Sequence, residues 1–351
     1  MSEKRSFAIN GFGRIGRTSF RIWWYQFRYK LDLVAINTSG SMDIEGWVQL
    51  LKHDTNYGYF DPGLSFKQHQ SYKETSDEDP LLGTLFVDGK PIAVTAQKDP
   101  AKINWRQLGA EIVLEATGKF LTKDTAELHL QGGAKQVLLT APAKSKEIST
   151  SVIGVNKFNT KEQIHSNASC TTNCIAPIVK IINDHLGIKK ALLTTIHAYT
   201  DDQNLLDNSH KKDLRRARGA ACNLVPTSTG AAKATTEIIP DLCGVFDGLA
   251  IRVPTPVGSL SDIVMVTKKK TSKEEINEIL TKAAHSRAYQ GILAVSDEPI
   301  VSSDIVGRSE SSIVDLPLTQ VIDGDLVKIV AWYDNEWGYC ARLLDQLLCL
   351  P

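Results

Sequence analysis

Ser6-Phe7-Ala8-Ile9-Asn10-Gly11-Phe12-Gly13-Arg14-Ile15-Gly16 is the stretch that decides the fold. Ser6 to Asn10 reads as a short strand ending on Gly11, and a helix is predicted from about Arg14 to Phe27. Ile15, Ile22, Trp23 and Phe27 can share one face of that helix. Each glycine has its own use: Gly11 permits a tight turn, Gly13 lets backbone approach a pyrophosphate, and Gly16 lets helix and strand pack closely. The helix N-terminus then holds the anion. A lone G-x-G-x-x-G is a weak signal, because glycine turns are common. Its order strengthens it here, since Leu31 to Asn37 follows as an almost uninterrupted apolar run, as in a parallel strand covered on both faces.

Outward from that unit, Asp43 to Lys52 reads as a helix, and Ile112 to Leu114 and Gln136 to Thr140 as further buried strands. The alternation predicts an α/β fold with a Rossmann-type doubly wound parallel sheet. Gln68 to Pro80 is polar and reads as a surface loop, and Asp88-Gly89 marks a hairpin. After about residue 168 the pattern changes. A helix from about Thr172 to Leu186 is followed by strand-like runs at Ala191 to Ala198, Leu249 to Val253, Asp262 to Thr267 and Leu326 to Trp332. Gly187 is placed to end that helix in the left-handed conformation. Ser272 to Glu275 has the form of a capping box. The expected division is a dinucleotide-binding domain at 1–169 and an α+β catalytic domain, mainly antiparallel, at 170–335. The apolar stripe Leu343, Leu344, Leu347 and Leu348 needs a surface to pack on. Trp23-Trp24-Tyr25 is unusual, and extra packing is its default reading.

The 40 basic and 40 acidic side chains cancel, so no net field draws the chain to nucleic acid or an anionic membrane. No apolar run reaches the roughly 18 residues of a membrane helix. Six scattered cysteines fit neither a disulfide scaffold nor a zinc site, so no metal is expected. The N-terminus shows no signal-type apolar core. The expected location is cytoplasmic, or an organelle stroma if a transit peptide is missing.

Two features leave alternatives open at this level. An acidic residue roughly 20 residues past the glycines ordinarily binds the ribose 2′-hydroxyl, yet Asn37 is followed by uncharged Thr38, Ser39, Gly40 and Ser41. That segment is either a polar loop indifferent to the cofactor or a set of donors for a 2′-phosphate. Cys170 sits where a helix begins, which favours a thiolate, and His197 stands at the end of a strand. The pair is either nucleophile and base or a structural cysteine with a core histidine.

Longer motifs narrow the choice. Asn10-Gly-Phe-Gly-Arg-Ile-Gly-Arg17, Ala168-Ser-Cys-Thr-Thr-Asn-Cys174 and His197-Ala-Tyr-Thr200 resemble the glyceraldehyde-3-phosphate dehydrogenase family. So do Asp213-Leu-Arg-Arg-Ala-Arg218, Pro226-Thr-Ser-Thr-Gly-Ala-Ala-Lys233, Arg252-Val-Pro-Thr-Pro256 and Trp332-Tyr-Asp-Asn-Glu-Trp-Gly-Tyr339. The resemblance runs from about residue 5 to the end. It implies Cys170 as the nucleophile that adds to the aldehyde and His197 as its base, by way of a hemithioacetal and a thioester. Ser169, Thr171, Thr229 and Gly230 match the pocket for inorganic phosphate, and Thr200 and Arg252 the pocket for the phosphate of glyceraldehyde 3-phosphate. Cofactor contacts fall on Gly11, Gly13, Arg14, Ile15, Gly16, Thr38, Ser39, Thr117, Thr140, Ser209 and Asn335, with Tyr339 near the reacting centre. Cys174 is expected to be structural. The resemblance also implies a homotetramer, an S-loop from about Tyr199 to Asn223 beside a neighbour's cofactor, and a C-terminal helix, 336–351, packed on the cofactor domain.

Members specific for NAD carry Asp where this chain has Thr38 and Leu-Pro where it has Asn208-Ser209. Both departures converge on the 2′ position, so NADP is expected to be preferred, or used alongside NAD. Two alternatives are an erythrose-4-phosphate dehydrogenase, which releases its acid through water, and a redox-sensing, non-catalytic relative.

Overall fold

The structure, a computed structural model, describes residues 4–211 and 213–351. Its first unit runs to Thr150 and takes in Phe158–Asn167 and Leu343–Pro351. Phe7, Ala8 and Ile9 are fully buried, so the opening strand, Arg5–Asn10, sits at the middle of a sheet. It pairs in parallel with Leu31–Asn37 on one side and Ile112–Glu115 on the other. Gln136–Leu139, Ile164–Ser166 and Ser149–Thr150 extend the parallel part on the second side. Lys90–Thr95 extends it on the first, and Leu81–Val87 and Leu64–Gln68 finish that edge antiparallel. Successive connections leave the central strand in opposite directions, which puts the topological switch point at the carboxyl end of Asn10.

Helices α1 (Arg14–Ile22), α2 (Ile44–Lys52) and α3 (Lys123–Gln131) belong to this unit. The first differs from the expected Arg14–Phe27, because Trp23–Phe27 widens into a π turn. The turn lets Trp23 bury its ring against Phe7 and Phe20 while its indole N–H donates to the Leu31 carbonyl at 2.9 Å. The Trp23-Trp24 pair is thus packing, with Trp24 edge-on to Trp23 and Arg28 over its outer face.

The second unit holds Ser151–Lys157 and Ala168–Arg342. Its sheet runs Val225–Ser228, Phe246–Val253, Ile188–Ala198, Ser259–Thr267, Leu326–Tyr333, Ser312–Asp315, Leu293–Ser296. Most of these pairs are antiparallel, and two are parallel. Helix α4 (Cys170–Leu186) lays Ile175, Ile178, Val179 and Ile182 on the inner face, with α5 (Ala231–Ile238) and α6 (Lys273–Ala284) beside it. Gly187 ends α4 at positive φ, but with ψ 142° it is extended rather than left-handed helical. The capping box of α6 is half formed: Ser272 accepts the Glu275 N–H, while the Glu275 carboxylate takes the Thr271 hydroxyl instead.

These units depart from the expected boundaries in two places. Ser151–Lys157 counts with the second unit because Val152 lies in its core. The last helix, α7 (Trp337–Cys349), is shared. Its first turns are held in the second unit by Trp337 on Ser309, Tyr339 on the Ala168 carbonyl and Arg342 on the Gly291 carbonyl. Leu343, Leu344 and Leu347 are fully buried in the first unit, where Gln346 meets Asn167 and Arg5 reaches the carbonyls of Leu347 and Pro351. Among the described residues no helix is long and apolar enough to cross a membrane, and no cluster could hold a metal ion.

Candidate active site

The first unit supplies a cradle for a dinucleotide. Gly11 turns at φ 99° and donates its N–H to the Asn37 carbonyl. A Cβ on Gly16 would lie 2.1 Å from the Gly11 carbonyl oxygen, so only glycine lets α1 start this close to the strand. Gly13 faces open space and, as the N-cap of α1, has no side chain to cap it. A helix start under a bare glycine suits a pyrophosphate, so these residues fit the group. Arg14 is paired with Asp54, and Ile15 is half-buried in the first helical turn.

Beneath the cradle, buried polar side chains at the carboxyl ends of three strands brace one another. Asn37 donates to the Asn10 side chain at 2.7 Å, and Asn10 donates to Glu115. Glu115 also meets the buried His129 at 3.0 Å and accepts from the N–H and hydroxyl of Thr117. Thr140 donates its N–H to the Glu115 carbonyl. Thr117 is therefore fixed by a side-chain network that no motif announced, while Thr140 is held there through its backbone. The network's only trace in the sequence is a polar residue at the end of each apolar strand.

The ribose end differs from expectation. Thr38 is buried, and its hydroxyl donates to the Thr95 carbonyl at 3.0 Å and accepts the Gly40 N–H. The exposed hydroxyls are those of Ser39 and Ser41, 2.9 Å apart across Gly40. Thr38 shapes the loop, and the serines face solvent.

The second unit holds the thiol. Ser169 caps α4 by accepting the Thr172 N–H at 3.1 Å, which fixes the helix start at Cys170. Ala168 before it has φ 56°, a strained value for a residue with a Cβ, and is held by Tyr339, whose hydroxyl donates to its carbonyl. Cys170 Sγ lies 3.4 Å from His197 Nε2. His197 Nδ1 is 2.6 Å from the Ala198 carbonyl, and with Nδ1–H donating there, Nε2 turns its lone pair to the thiol. Arg252 Nη1 stands 2.9 Å from Nδ1 and 3.1 Å from both the Ala198 carbonyl and the Thr200 hydroxyl.

The electrostatics correct one expectation. Burial pushes the Cys170 thiol up, partly opposed by Arg252, against the pull towards thiolate expected at the head of α4. Burial, and then the positive charge of Arg252, hold His197 down to about 3. Both groups are therefore neutral near pH 7, with the imidazole free to accept a proton. Cys174 is buried beside Ser312, pushed to about 12 by its surroundings, and structural.

Arg252 keeps a buried Nε without a partner among the described residues, an unused donor where an anion fits. Thr200 passes its hydroxyl to Asp202, which Arg216 also holds. Burial raises the Asp202 carboxyl, but Thr200 and Arg216 outweigh it and keep it below the usual range. Asp202 and Arg216 were missed as site residues, although the T-x-D spacing after His197 was the available signal. Thr229 accepts the Ala231 N–H, and Gly230 opens α5, which packs on α4. Asn335 Oδ1 accepts from Gly258 N and Ser259 Oγ at 3.1 and 2.9 Å, leaving its amide N–H groups as donors. Ser209 lies exposed on the loop, tied to Asn208 and Asn204.

Two family models match the chain. The glyceraldehyde 3-phosphate dehydrogenase NAD binding domain covers residues 5–123, and the C-terminal domain of the same enzyme covers 169–335. A chloroplastic glyceraldehyde-3-phosphate dehydrogenase A of Chlamydomonas reinhardtii is 46% identical over 98% of this chain and 88% of its own length. A glyceraldehyde-3-phosphate dehydrogenase of Streptomyces coelicolor is 48% identical over 96% of both chains. Glyceraldehyde-3-phosphate dehydrogenase 2 of Synechocystis is 46% identical, again over 96% of each. Neither alternative, the erythrose-4-phosphate enzyme or the non-catalytic redox sensor, gains support from these relatives.

Proposed function

The chain belongs to the glyceraldehyde-3-phosphate dehydrogenase family and oxidises glyceraldehyde 3-phosphate to an acyl phosphate with NAD(P), and from that premise we propose how its residues do so. The observation that carries the proposal is the 3.4 Å approach of Cys170 Sγ to a neutral His197 whose Nδ1 is tied down. Cys170 adds to the aldehyde carbon as its proton passes to His197 Nε2 and from there to the former carbonyl oxygen, giving a hemithioacetal and a neutral imidazole. Arg252 and Thr200 hold the substrate's phosphate at the far end. NAD(P), when bound, would supply the hydride acceptor, and the amide N–H groups of Asn335 would orient its carboxamide. His197 takes the hemithioacetal hydroxyl proton as the thioester forms. Ser169, Thr171, Thr229 and Gly230 hold inorganic phosphate, whose oxygen attacks the thioester carbon. The C–S bond then breaks, and His197 returns a proton to sulfur.

NADP is the proposed preference, or at least a partner equal to NAD. No carboxylate stands at Thr38 to repel a 2′-phosphate, and Ser39 and Ser41 offer exposed hydroxyls. Ser209 adds a third if the S-loop of a second copy covers the site. A homotetramer is supported by what a single chain leaves uncovered: Leu205, Leu206 and Leu214 of the S-loop are 75–83% exposed, and Leu192 on the sheet 64%. The proposed location is cytoplasmic, where the free thiols suit a reducing compartment. Measuring kcat/KM for glyceraldehyde 3-phosphate and erythrose 4-phosphate, each with NADP and NAD, tests these assignments. The expected order puts glyceraldehyde 3-phosphate with NADP first, and a strong preference for erythrose 4-phosphate or for NAD contradicts the corresponding part.

A further inference from the structure

Tyr333 is 1% exposed and has no place in the chemistry above, yet its hydroxyl stands in a relay. Thr171 Oγ1 lies 2.9 Å from Tyr333 Oη, and Tyr333 Oη lies 2.8 Å from Thr195 Oγ1. Thr195 Oγ1 lies 3.1 Å from the Leu260 carbonyl oxygen. Thr171, Thr195 and Tyr333 are all buried, so water does not complete these contacts for them.

A carbonyl has no proton to give, and that fixes the direction of the relay. With protons pointing from Thr171 to Tyr333, from Tyr333 to Thr195 and from Thr195 to Leu260, all three contacts are hydrogen bonds. Reversed, the Thr195 and Leu260 oxygens face each other at 3.1 Å with no proton between them, which is costly in a buried site. Thr171 thus spends its proton inward. On the side facing the phosphate pocket its oxygen is an acceptor, the opposite of the donor role its residue type leads one to expect.

We propose that the Tyr333–Thr195–Leu260 relay makes Thr171 an acceptor that selects a protonated oxyanion, hydrogen phosphate, over an unprotonated one of the same shape and charge, sulfate. The inference rests on Thr171 lining the inorganic-phosphate pocket. Hydrogen phosphate has one P–OH to donate to Thr171, which turns its ionised oxygens to the other donors and to the thioester. Sulfate has none, so it meets an unmatched acceptor unless the relay reverses. Tyr333 acts through Thr171 and is a positioning residue.

The test is the ratio of the sulfate inhibition constant, competitive against phosphate at saturating aldehyde, to the phosphate KM. It is measured at pH 8 in the wild type, Tyr333→Phe, Thr195→Val and Thr171→Val. Removing Tyr333 Oη, or the Thr195 hydroxyl on which it ends, frees Thr171 to donate into the pocket. Sulfate then binds more tightly in both variants, and the ratio falls about tenfold, the scale of one hydrogen bond to a charged group. Arsenate, which carries a proton, follows phosphate. Mere loosening of the pocket weakens both anions together, so a tighter sulfate is the diagnostic sign. Thr195→Val is nearly isosteric and carries the test if Tyr333→Phe does not fold. A raised phosphate KM in Thr171→Val with unchanged ratios in the other two overturns the relay alone. An unchanged phosphate KM in Thr171→Val overturns the pocket assignment and the relay together.

Discussion

Gly11, Gly13 and Gly16 make an anion site by taking side chains away, whereas around Cys170 each contact is made by a side chain, on another side chain or on a backbone group. In the first unit the backbone does the binding, and its geometry is set within six consecutive residues. In the second, Cys170, His197, Arg252 and Tyr339 come from four separate segments and meet only because the sheet and α4 bring them together. A site built from absences tolerates no addition. A site built from side chains loses function one group at a time, and the fold survives.

Substitutions sharpen that contrast. The largest effect on rate is expected from His197→Asn, which keeps the bulk but removes the base and should lower kcat by roughly 10²–10⁴. The same variant should keep the wild-type melting temperature within a few degrees. Because His197 is held down to about 3, its neutral form prevails throughout pH 5–9, and acid should not switch it off in that range. The alkylation rate of Cys170 by iodoacetamide, without cofactor, should instead climb steadily with pH, since the thiol lies above its ordinary value. A plateau below pH 7 would contradict that direction.

Gly16→Ala should act the other way. Its Cβ meets a backbone oxygen at 2.1 Å, so α1 must shift and the first unit should lose stability by about 1–3 kcal/mol or more. Thermal unfolding checks this, and an unchanged melting temperature breaks the comparison. The smallest effect is expected at the ribose loop. Thr38→Asp places a carboxylate under a 2′-phosphate and should move the NADP-to-NAD ratio of kcat/KM towards NAD by roughly tenfold. Ser39→Ala should move it less, and no movement in either variant removes the loop from cofactor choice.

The two regions also differ in how far they can be read from sequence. The glycine turn was legible because its cause is local: each glycine answers a backbone requirement a few residues away. Cys170 and His197 were visible as residue types, but their pairing entered through resemblance, since no local rule says that a strand end near 197 reaches a helix start at 170. The thiol shows the same difference between local and global causes. A helix N-terminus is a local feature that favours thiolate, while the burial that opposes it is made by the whole unit. Thr38 was placed on the cofactor because it follows the second strand, yet its hydroxyl closes on Thr95, a partner 57 residues away. Arg216 and Tyr333 received no site role because each acts through another side chain, and Asp202 left only its T-x-D spacing from Thr200 as a signal.

The most direct test is a single mixing experiment without phosphate. Enzyme with NAD(P) and excess glyceraldehyde 3-phosphate should reduce about one dinucleotide per chain and stop, holding an acyl group that mass spectrometry places on Cys170. Adding phosphate should then start steady turnover. Turnover that continues without phosphate, or an acyl group on any residue but Cys170, would contradict the account.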